Sequence, residues 1–541
     1  MKTKENKELI ICSCVISFII SFMFCLYEPI ITYAQNINDF WFDLNLLFPK
    51  IIIFFFATFL LIFLSSLFLL LLFNKNKKIY KICLIAVFVV FLVLYIQGNY
   101  FINKLPVLNG SVIDYSKFNL ENIKTLIVFL SIVIMEIILV KKCSINKTIK
   151  INNYINIAVF SMLLVSLIST FLTTDIFQKK NIVSATTNNI NTISNNKNMF
   201  IIIADSVDSR IFKSVLDSNE EFSNTFDDFT YYPDTTSGYM FTRDSIPFIL
   251  SGFWNEEKVD FVDYYVNSFD NSKLFKLLDK KGYHKNFYEY EIYSSSKVID
   301  SFENVQLYSN SINGISLFKQ FVKYDMFKYL PFILKKYSKI ETADFNLCKN
   351  KNDSTYYSWS NSDVYQNLVN NETLNTIDEN YFQILHFEGG HVPFDNDENV
   401  NIIDKGTYEQ KVTSTIKIID AFIKRLKNNN SFDNSIIYIM ADHGEGKDNY
   451  RQNPMLLIKG INEKHKLEIS NDAVSYLDLI DTYEILLNNG LTKDLFKNIP
   501  KNRDRRVLNN LYTESRMIEW IQSGKAWDLN TFNKTGVEFH R

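Results

Sequence analysis

Two carboxylates and an imidazole stand at the ends of apolar runs in this chain. Phe200–Ala204 runs into Asp205, and Ile436–Ala441 runs into Asp442, followed at once by His443-Gly444-Glu445. A third run, Tyr381–Leu385, ends in His386-Phe387-Glu388-Gly389-Gly390-His391-Val392-Pro393. Three of the six histidines therefore fall in two strand-end motifs. Continuous β-branched runs mark parallel strands buried on both faces, and open α/β sheets collect their chemistry beyond the carboxyl ends of such strands. Asp205, Asp442 and His443 are expected to converge there on one divalent metal ion. One imidazole with two carboxylates suits Zn²⁺, Mn²⁺ or Mg²⁺ and does not choose among them.

A hydroxyl group completes the chemistry. The stretch Thr235–Gly252 reads as a loop passing into an apolar helix, and it carries Thr235, Thr236, Ser237, Thr242 and Ser245. A hydroxyl at the start of that helix meets backbone N–H groups and the positive end of the dipole, a seat for an anion. Such a group can attack a phosphate ester, and a metal on the same oxygen favours its alkoxide form. Each residue also has a plainer reading. Asp205 can cap the helix starting at Ser206, Thr242 can be an N-cap, and Asp-His-Gly-Glu can be a polar turn. Lys447 and Arg451 can meet phosphate oxygens or be surface charge.

The elements that position these residues belong to two different halves. Overall the 541 residues are 47% hydrophobic with net charge -2, an average over a greasy N-terminal third and a polar remainder. Five apolar stretches fit spans of about 20 residues: Leu9 to Ile31, Ile51 to Phe73, Ile79 to Gln97, Thr125 to Val140 and Ile155 to Phe177. Lys2, Lys4 and Lys7 precede the first, Lys75, Lys77, Lys78 and Lys81 follow the second, and Lys141, Lys142, Lys147 and Lys150 follow the fourth. The positive-inside rule then puts the N-terminus in the cytoplasm and everything after Phe177 outside. Five of the six cysteines lie in or beside the spans, so Cys348 stands alone in the outer part and no intrachain disulfide framework is possible there. The expected domains are 1–178 in the membrane, a flexible Asn/Thr/Ser-rich linker 179–198, a catalytic domain 199–498, and a tail 499–541 able to close it with a small antiparallel sheet. Leu317, Phe318, Phe321, Tyr324, Phe327, Leu330 and Leu334 recur at helical spacing among lysines. That segment reads as a helix packed on the catalytic domain, or one lying on an anionic bilayer. No long basic run points to nucleic acid.

Thr242-x-x-Ser245-x-Pro247, Asp205, His386-x-x-x-Gly390-His391-x-Pro393 and Asp442-His443-Gly444-Glu445 come in the order and spacing of a known group. Together they resemble the sulfatase-like branch of the alkaline phosphatase superfamily, above all its membrane-anchored phospho-group transferases, the lipoteichoic acid synthases and phosphoethanolamine transferases. The resemblance implies five N-terminal transmembrane helices followed by an α/β domain with a mostly parallel central sheet. It implies that Asp205, Thr242, Asp442 and His443 hold the metal, that Thr242 is the nucleophile, and that His391 contacts the transferred phosphate or helps the leaving group. His386, Ser245, Glu388, Lys447 and Arg451 are the further substrate-pocket residues. Two departures stand out: the disulfides usual in phosphoethanolamine transferases are absent, which leans toward the synthases, and Asp205 replaces the usual Glu.

The expected activity is a metal-dependent transferase of the outer face of the plasma membrane. It moves a phosphoglycerol or phosphoethanolamine group from a phospholipid to a glycan or glycolipid through a phospho-threonine. The alternatives are a sulfatase-like hydrolase or phosphodiesterase, against which the absence of Cys-x-Pro-x-Arg or Ser-x-Pro-x-Arg counts for sulfate esters, and a catalytically silent lipid sensor.

Overall fold

The computed structural model describes residues 2–37, 40–101, 113–177, 183–256, 261–290, 292, 296–307, 312–338, 340, 342–348, 356–445, 451–493, 495–510 and 516–540. The chain divides into two compact units, Met1–Lys180 with Ser309–Asn352, and Asn181–Tyr308 with Asp353–Arg541.

The first unit holds five helices long and apolar enough to cross a membrane: Glu5–Gln35, Leu44–Leu72, Lys77–Tyr100, Tyr115–Cys143 and Ile145–Thr173. The basic amphipathic segment forms the helix Gly314–Tyr329, started by Asn313, whose side chain accepts from Ser316 N, and stopped before Pro331. It groups with the apolar helices instead of the catalytic domain to which the sequence assigned it. The reason lies in Glu28, fully buried within the first apolar helix. A buried carboxylate needs charged or hydrogen-bonding partners. Lys328 supplies its ammonium at 2.5 Å and Tyr329 its hydroxyl. Phe318 packs its ring 5.1 Å from that of Phe54.

The second unit is built on a sheet of seven strands: β3 (Asn198–Ala204), β4 (Thr230–Tyr231), β6 (Tyr283–Tyr288), β9 (Asn380–Phe387), β10 (Ser435–Met440), β11 (Leu456–Lys459) and β12 (Glu468–Ile469). Their order is β12-β4-β11-β10-β3-β9-β6, and four of the six neighbouring pairs are parallel. The sheet is thus mostly parallel. Along β3, Met199, Ile201 and Ile203 enter one core, while Phe200, Ile202 and Ala204 enter the other. Because successive side chains point to opposite faces, a strand covered on both sides must be apolar throughout. The same alternation runs along β10, and so the Ala-Asp phrase of both strands ends at the same edge of the sheet.

Smaller sheets surround this core. β1 (Val183–Ala185) pairs with β7 (Val305–Leu307), β2 (Thr192–Ser194) with β8 (Asn375–Ile377), and β5 (Thr235–Thr236) with β13 (Val474–Ser475). The segment 179–198, expected as a flexible linker, therefore carries two strands from residue 183 onward. Residues 178–182 lie outside the described residues. The tail forms an antiparallel sheet of β14 (Arg505–Asn510), β15 (Arg516–Gln522) and β16 (Phe532–His540). Leu508 N donates to Gly238 O and its carbonyl accepts from Met240 N, bracing the loop that leads to Thr242.

Candidate functional site

The carboxyl ends of β3, β9 and β10 bring together residues from three distant parts of the sequence. Asp205, Asp442 and His443 offer ligand atoms all within 4.8 Å of one another, and all three are buried. His443 Nε2 lies 3.4 Å from Asp442 Oδ2 and 4.0 Å from Asp205 Oδ1. Thr242 opens the helix Thr242–Ser251, and its Oγ1 lies 3.2 Å from Asp205 Oδ2 and 3.4 Å from His443 Nε2. The helix begins where the extended backbone of Phe241 ends, which turns the Thr242 hydroxyl toward the strand ends.

The donors and acceptors of this group fit a cation. His443 Nδ1 is 2.8 Å from Gly444 O, and a carbonyl only accepts, so Nδ1 carries a proton and Nε2 is the ring atom that faces the carboxylates. Asp442 Oδ1 accepts from Ser206 N at 3.0 Å, whereas Asp442 Oδ2 is buried and has no hydrogen-bond partner among the described residues. An orphaned buried carboxylate oxygen is costly unless a positive charge lies against it. Asp205 Oδ1 accepts from Ser206 Oγ at 2.5 Å. Burial alone would raise the Asp205 pKa, but His391, His386 and His443 around it hold the carboxyl well below the usual carboxylate range.

Ser206, read from the sequence only as the start of a helix that begins instead at Ser209 with Asp208 as its cap, anchors both carboxylates. Its φ of 59° is unusual for a residue with a side chain, and it points the Ser206 N–H at Asp442. Tyr408 secures this turn by donating its hydroxyl to Ser206 O at 2.7 Å and accepting from Asp208 N at 2.8 Å. Behind Asp442, Ser245 Oγ donates to its carbonyl at 2.6 Å and Tyr476 donates to Ala441 O. Ser245 is fully buried, so its hydroxyl braces the strand end and does not face an open pocket.

The loop after β9 is stitched to Asp205 through the backbone. Asp205 N donates to Phe387 O at 3.0 Å, and Gly390 N donates to Asp205 O at 2.8 Å. Gly389 has φ +55, and a Cβ there would lie 2.6 Å from Asp205 N and from Ala204 C. Only glycine permits that approach. Lys411, fully buried, fastens the far side of the loop, reaching Pro393 O at 2.6 Å, Asp395 at 2.7 Å and Glu388 at 3.0 Å. Glu388 is thus engaged by Lys411, and burial raises its pKa above the usual range against that pull.

His391 is half-buried, with its Nδ1 on Val392 O and its ring 5.7 Å from that of Trp359. His386 is 1% exposed, between Glu289 at 2.8 Å and Asp205 at 3.6 Å. Burial opposes its charge, yet Glu289 and Asp205 carry its pKa well above the imidazole range. Arg451 pairs with Glu445 at 3.2 Å and lies 5.0 Å from the Phe241 ring, next to Thr242 in sequence. Lys447 lies outside the described residues.

Comparison with known proteins follows this geometry. No curated protein matches the chain. Among solved structures, Ps i-CgsB in complex with k-i-k-neocarrahexaose has 16% identity and a TM-score of 0.39, over 60% of this chain and 82% of that one. A protein of the alkaline phosphatase superfamily from Vibrio parahaemolyticus has 13% identity and a TM-score of 0.35, over 66% and 85%. The C-terminal periplasmic domain of EcEptC from Escherichia coli has 11% identity and a TM-score of 0.33, over 64% and 96%. The Sulfatase family model matches residues 197–482, more than half of the sequence, and its span takes in Asp205, Thr242, Asp442 and His443. The chain belongs to the sulfatase family, metal-dependent enzymes acting on sulfate or phosphate esters.

Proposed function

We propose that this protein is a membrane-anchored transferase that moves a phosphoglycerol or phosphoethanolamine group from a phospholipid to a glycan or glycolipid through Thr242. The observation that carries this reading is the Thr242 hydroxyl at a helix start, 3.2 Å from Asp205 Oδ2 and 3.4 Å from His443 Nε2. A sulfatase-type Cys or Ser followed by x-Pro-x-Arg is absent, and a threonine hydroxyl stands at the nucleophile's place instead.

Asp205, Asp442 and His443, with Thr242 Oγ1, would hold one divalent cation. Zn²⁺, Mn²⁺ and Mg²⁺ all suit these ligands. When bound, the ion lowers the pKa of the hydroxyl and offsets charge on the phosphoryl oxygens. In the first displacement the Thr242 Oγ1–P bond forms and the bond from phosphorus to the diacylglycerol oxygen breaks. The hydroxyl proton leaves to solvent water, and His391 gives a proton to the departing oxygen. In the second, an acceptor hydroxyl attacks phosphorus and passes its proton to His391. The Oγ1–P bond breaks and Thr242 Oγ1 regains a proton from solvent water. Two displacements at one oxygen require few residues, and the helix N-terminus favours the phosphoryl charge throughout.

The five apolar helices anchor the chain. Lysines before the first, after the second and after the fourth support a cytoplasmic N-terminus, an extracytoplasmic catalytic unit and a plasma-membrane location.

The test is the intact mass of the full-length protein from its own membranes beside Thr242→Ala, with any adduct mapped by peptide sequencing. The expected result is a phosphoglycerol or phosphoethanolamine adduct on Thr242, absent from the variant. An unmodified Thr242 in a protein without bound metal would overturn the reading. Metal without adduct would turn it toward transfer to water.

A further inference from the structure

We infer that Glu289 is a positioning residue, acting through His386 on Asp205 and thereby on the metal and on Thr242. The inference rests on the metal reading of Asp205, Asp442 and His443. Strands β6, β9 and β3 lie side by side and parallel, with Tyr288 opposite Leu385 and Ile203 opposite His386. Their carboxyl ends therefore set Glu289, His386 and Asp205 in a row across the sheet.

All three side chains are buried, at 5%, 1% and 1% exposure. Glu289 Oε1 accepts from Tyr290 N at 2.7 Å, which turns Oε2 to His386 Nδ1 at 2.8 Å. A carboxylate only accepts, so Nδ1 carries the proton and the opposite edge of the ring, Nε2, is fixed toward Asp205 Oδ2 at 3.6 Å. Nε2 has no hydrogen-bond partner among the described residues. The His386 backbone is held as well, its carbonyl accepting from Tyr357 Oη at 2.6 Å. Asp205 is thus bounded by Ser206 Oγ at Oδ1 and by the His386 ring at Oδ2, and it is Oδ2 that meets Thr242. Without Glu289, a buried ring loses its only side-chain anchor at Nδ1 among the described residues. It is then free to turn against the carboxylate. Groups that orient a metal's ligands from behind commonly change affinity or activity by about 10–100-fold.

The test uses the full-length protein in detergent and reads Mn²⁺ affinity by chelator competition for wild type, Glu289→Gln, His386→Gln and the double variant. Glu289→Gln keeps the volume and removes the charge. The expected result is a loss of about 10–100-fold in Mn²⁺ affinity for each single variant, with the double variant no weaker than the weaker single one. Non-additivity of that kind marks residues that act as one unit. Should Glu289→Gln not fold, Glu289→Asp is read in the same way, and it is expected to fall between wild type and His386→Gln.

Affinity for Mn²⁺ in Glu289→Gln within twofold of wild type, or losses that multiply in the double variant, would overturn the inference. Diacylglycerol release by wild type from phosphatidylglycerol and phosphatidylethanolamine vesicles is measured in parallel. Failure there overturns the transferase reading, while the Mn²⁺ cycle alone decides the role of Glu289.

Discussion

The Thr242 hydroxyl and the Asp205 carboxylate, 37 residues apart in the chain, meet at 3.2 Å because a helix start is turned onto a strand end. The two residues have little freedom. Asp205 is held by Ser206 and by backbone bonds to Phe387 and Gly390, and Thr242 by the bracing of residues 238–240 against Leu508. A hydroxyl so placed would need no rearrangement to reach a cation shared by Asp205, Asp442 and His443.

Loss of that hydroxyl should remove the chemistry while leaving the fold intact. Thr242→Ala is expected to lose headgroup release from phospholipid vesicles by on the order of 10³-fold or more, the scale of a deleted nucleophile. Thr242→Ser, which keeps the oxygen, should stay within about tenfold. Asp442→Asn should lose bound metal, measured by elemental analysis of the purified protein, because Asn cannot supply the charge that Asp442 Oδ2 presents. Equal activity of wild type and Thr242→Ala would exclude Thr242 as the nucleophile.

Gly389 tests the backbone that carries Asp205. An alanine there would place its Cβ 2.6 Å from Asp205 N in a backbone of φ +55. The left-handed conformation alone costs about 1–2 kcal/mol for a residue with a Cβ, and the contact adds to it. Gly389→Ala should therefore lower the melting temperature and also weaken Mn²⁺ binding, since Asp205 must move to make room. A variant melting like wild type with unchanged metal affinity would show that the loop yields without disturbing the strand end.

What was legible in the sequence follows from how local the signal is. β3, β9 and β10 are doubly covered strands, so their continuous apolar runs announced them and placed Asp205, His386 and Asp442 at their ends. Glu289 was hidden because β6 carries His284, Lys285 and Asn286, which break the run. Ser206 was hidden because its role lies in a φ of 59°. The strands β1 and β2 are three residues each, too short for a period to show, and they pair with β7 and β8, more than a hundred residues away. The helix Gly314–Tyr329 was readable as an amphipathic helix. Its partner Glu28, 300 residues earlier, was not.

Lysine 459 gives the second unit a pH dependence. Its ammonium lies within 2.8–3.2 Å of the carbonyls of Phe432, Ser435 and Gly460, and burial pushes its pKa down from 10.5 to about 8 against the pull of Asp433, Glu463 and Asp228. Between these two values the unfolded chain binds the proton and the folded chain releases it, so stability contributed by this group rises with pH from about 8 to 10. Lys459→Met removes that contribution. The stability of wild type relative to the variant should grow by about 3 kcal/mol across the window, read as a widening difference in melting temperature. A difference that stays flat from pH 7.5 to 10 would mean that the carbonyls hold the ammonium protonated in the folded state.

The Glu28–Lys328 pair of the first unit yields an asymmetric prediction. Glu28 is fully buried, and its carboxylate takes Lys328 at 2.5 Å, Thr32 at 3.1 Å and the Tyr329 hydroxyl. Taking one member from a buried ion pair leaves a charge without compensation and costs about 3–5 kcal/mol, whereas replacing both by apolar groups is often near neutral. Lys328→Met should therefore release the helix Gly314–Tyr329 from the apolar helices, seen as proteolysis within residues 314–335 and a lowered melting temperature. Glu28→Met with Lys328→Met should recover most of the loss. If the double variant is as unstable as Lys328→Met, the helix is held by its hydrogen-bonded charges. If it recovers, apolar contacts such as Phe54 with Phe318 carry the docking and the ion pair selects its register.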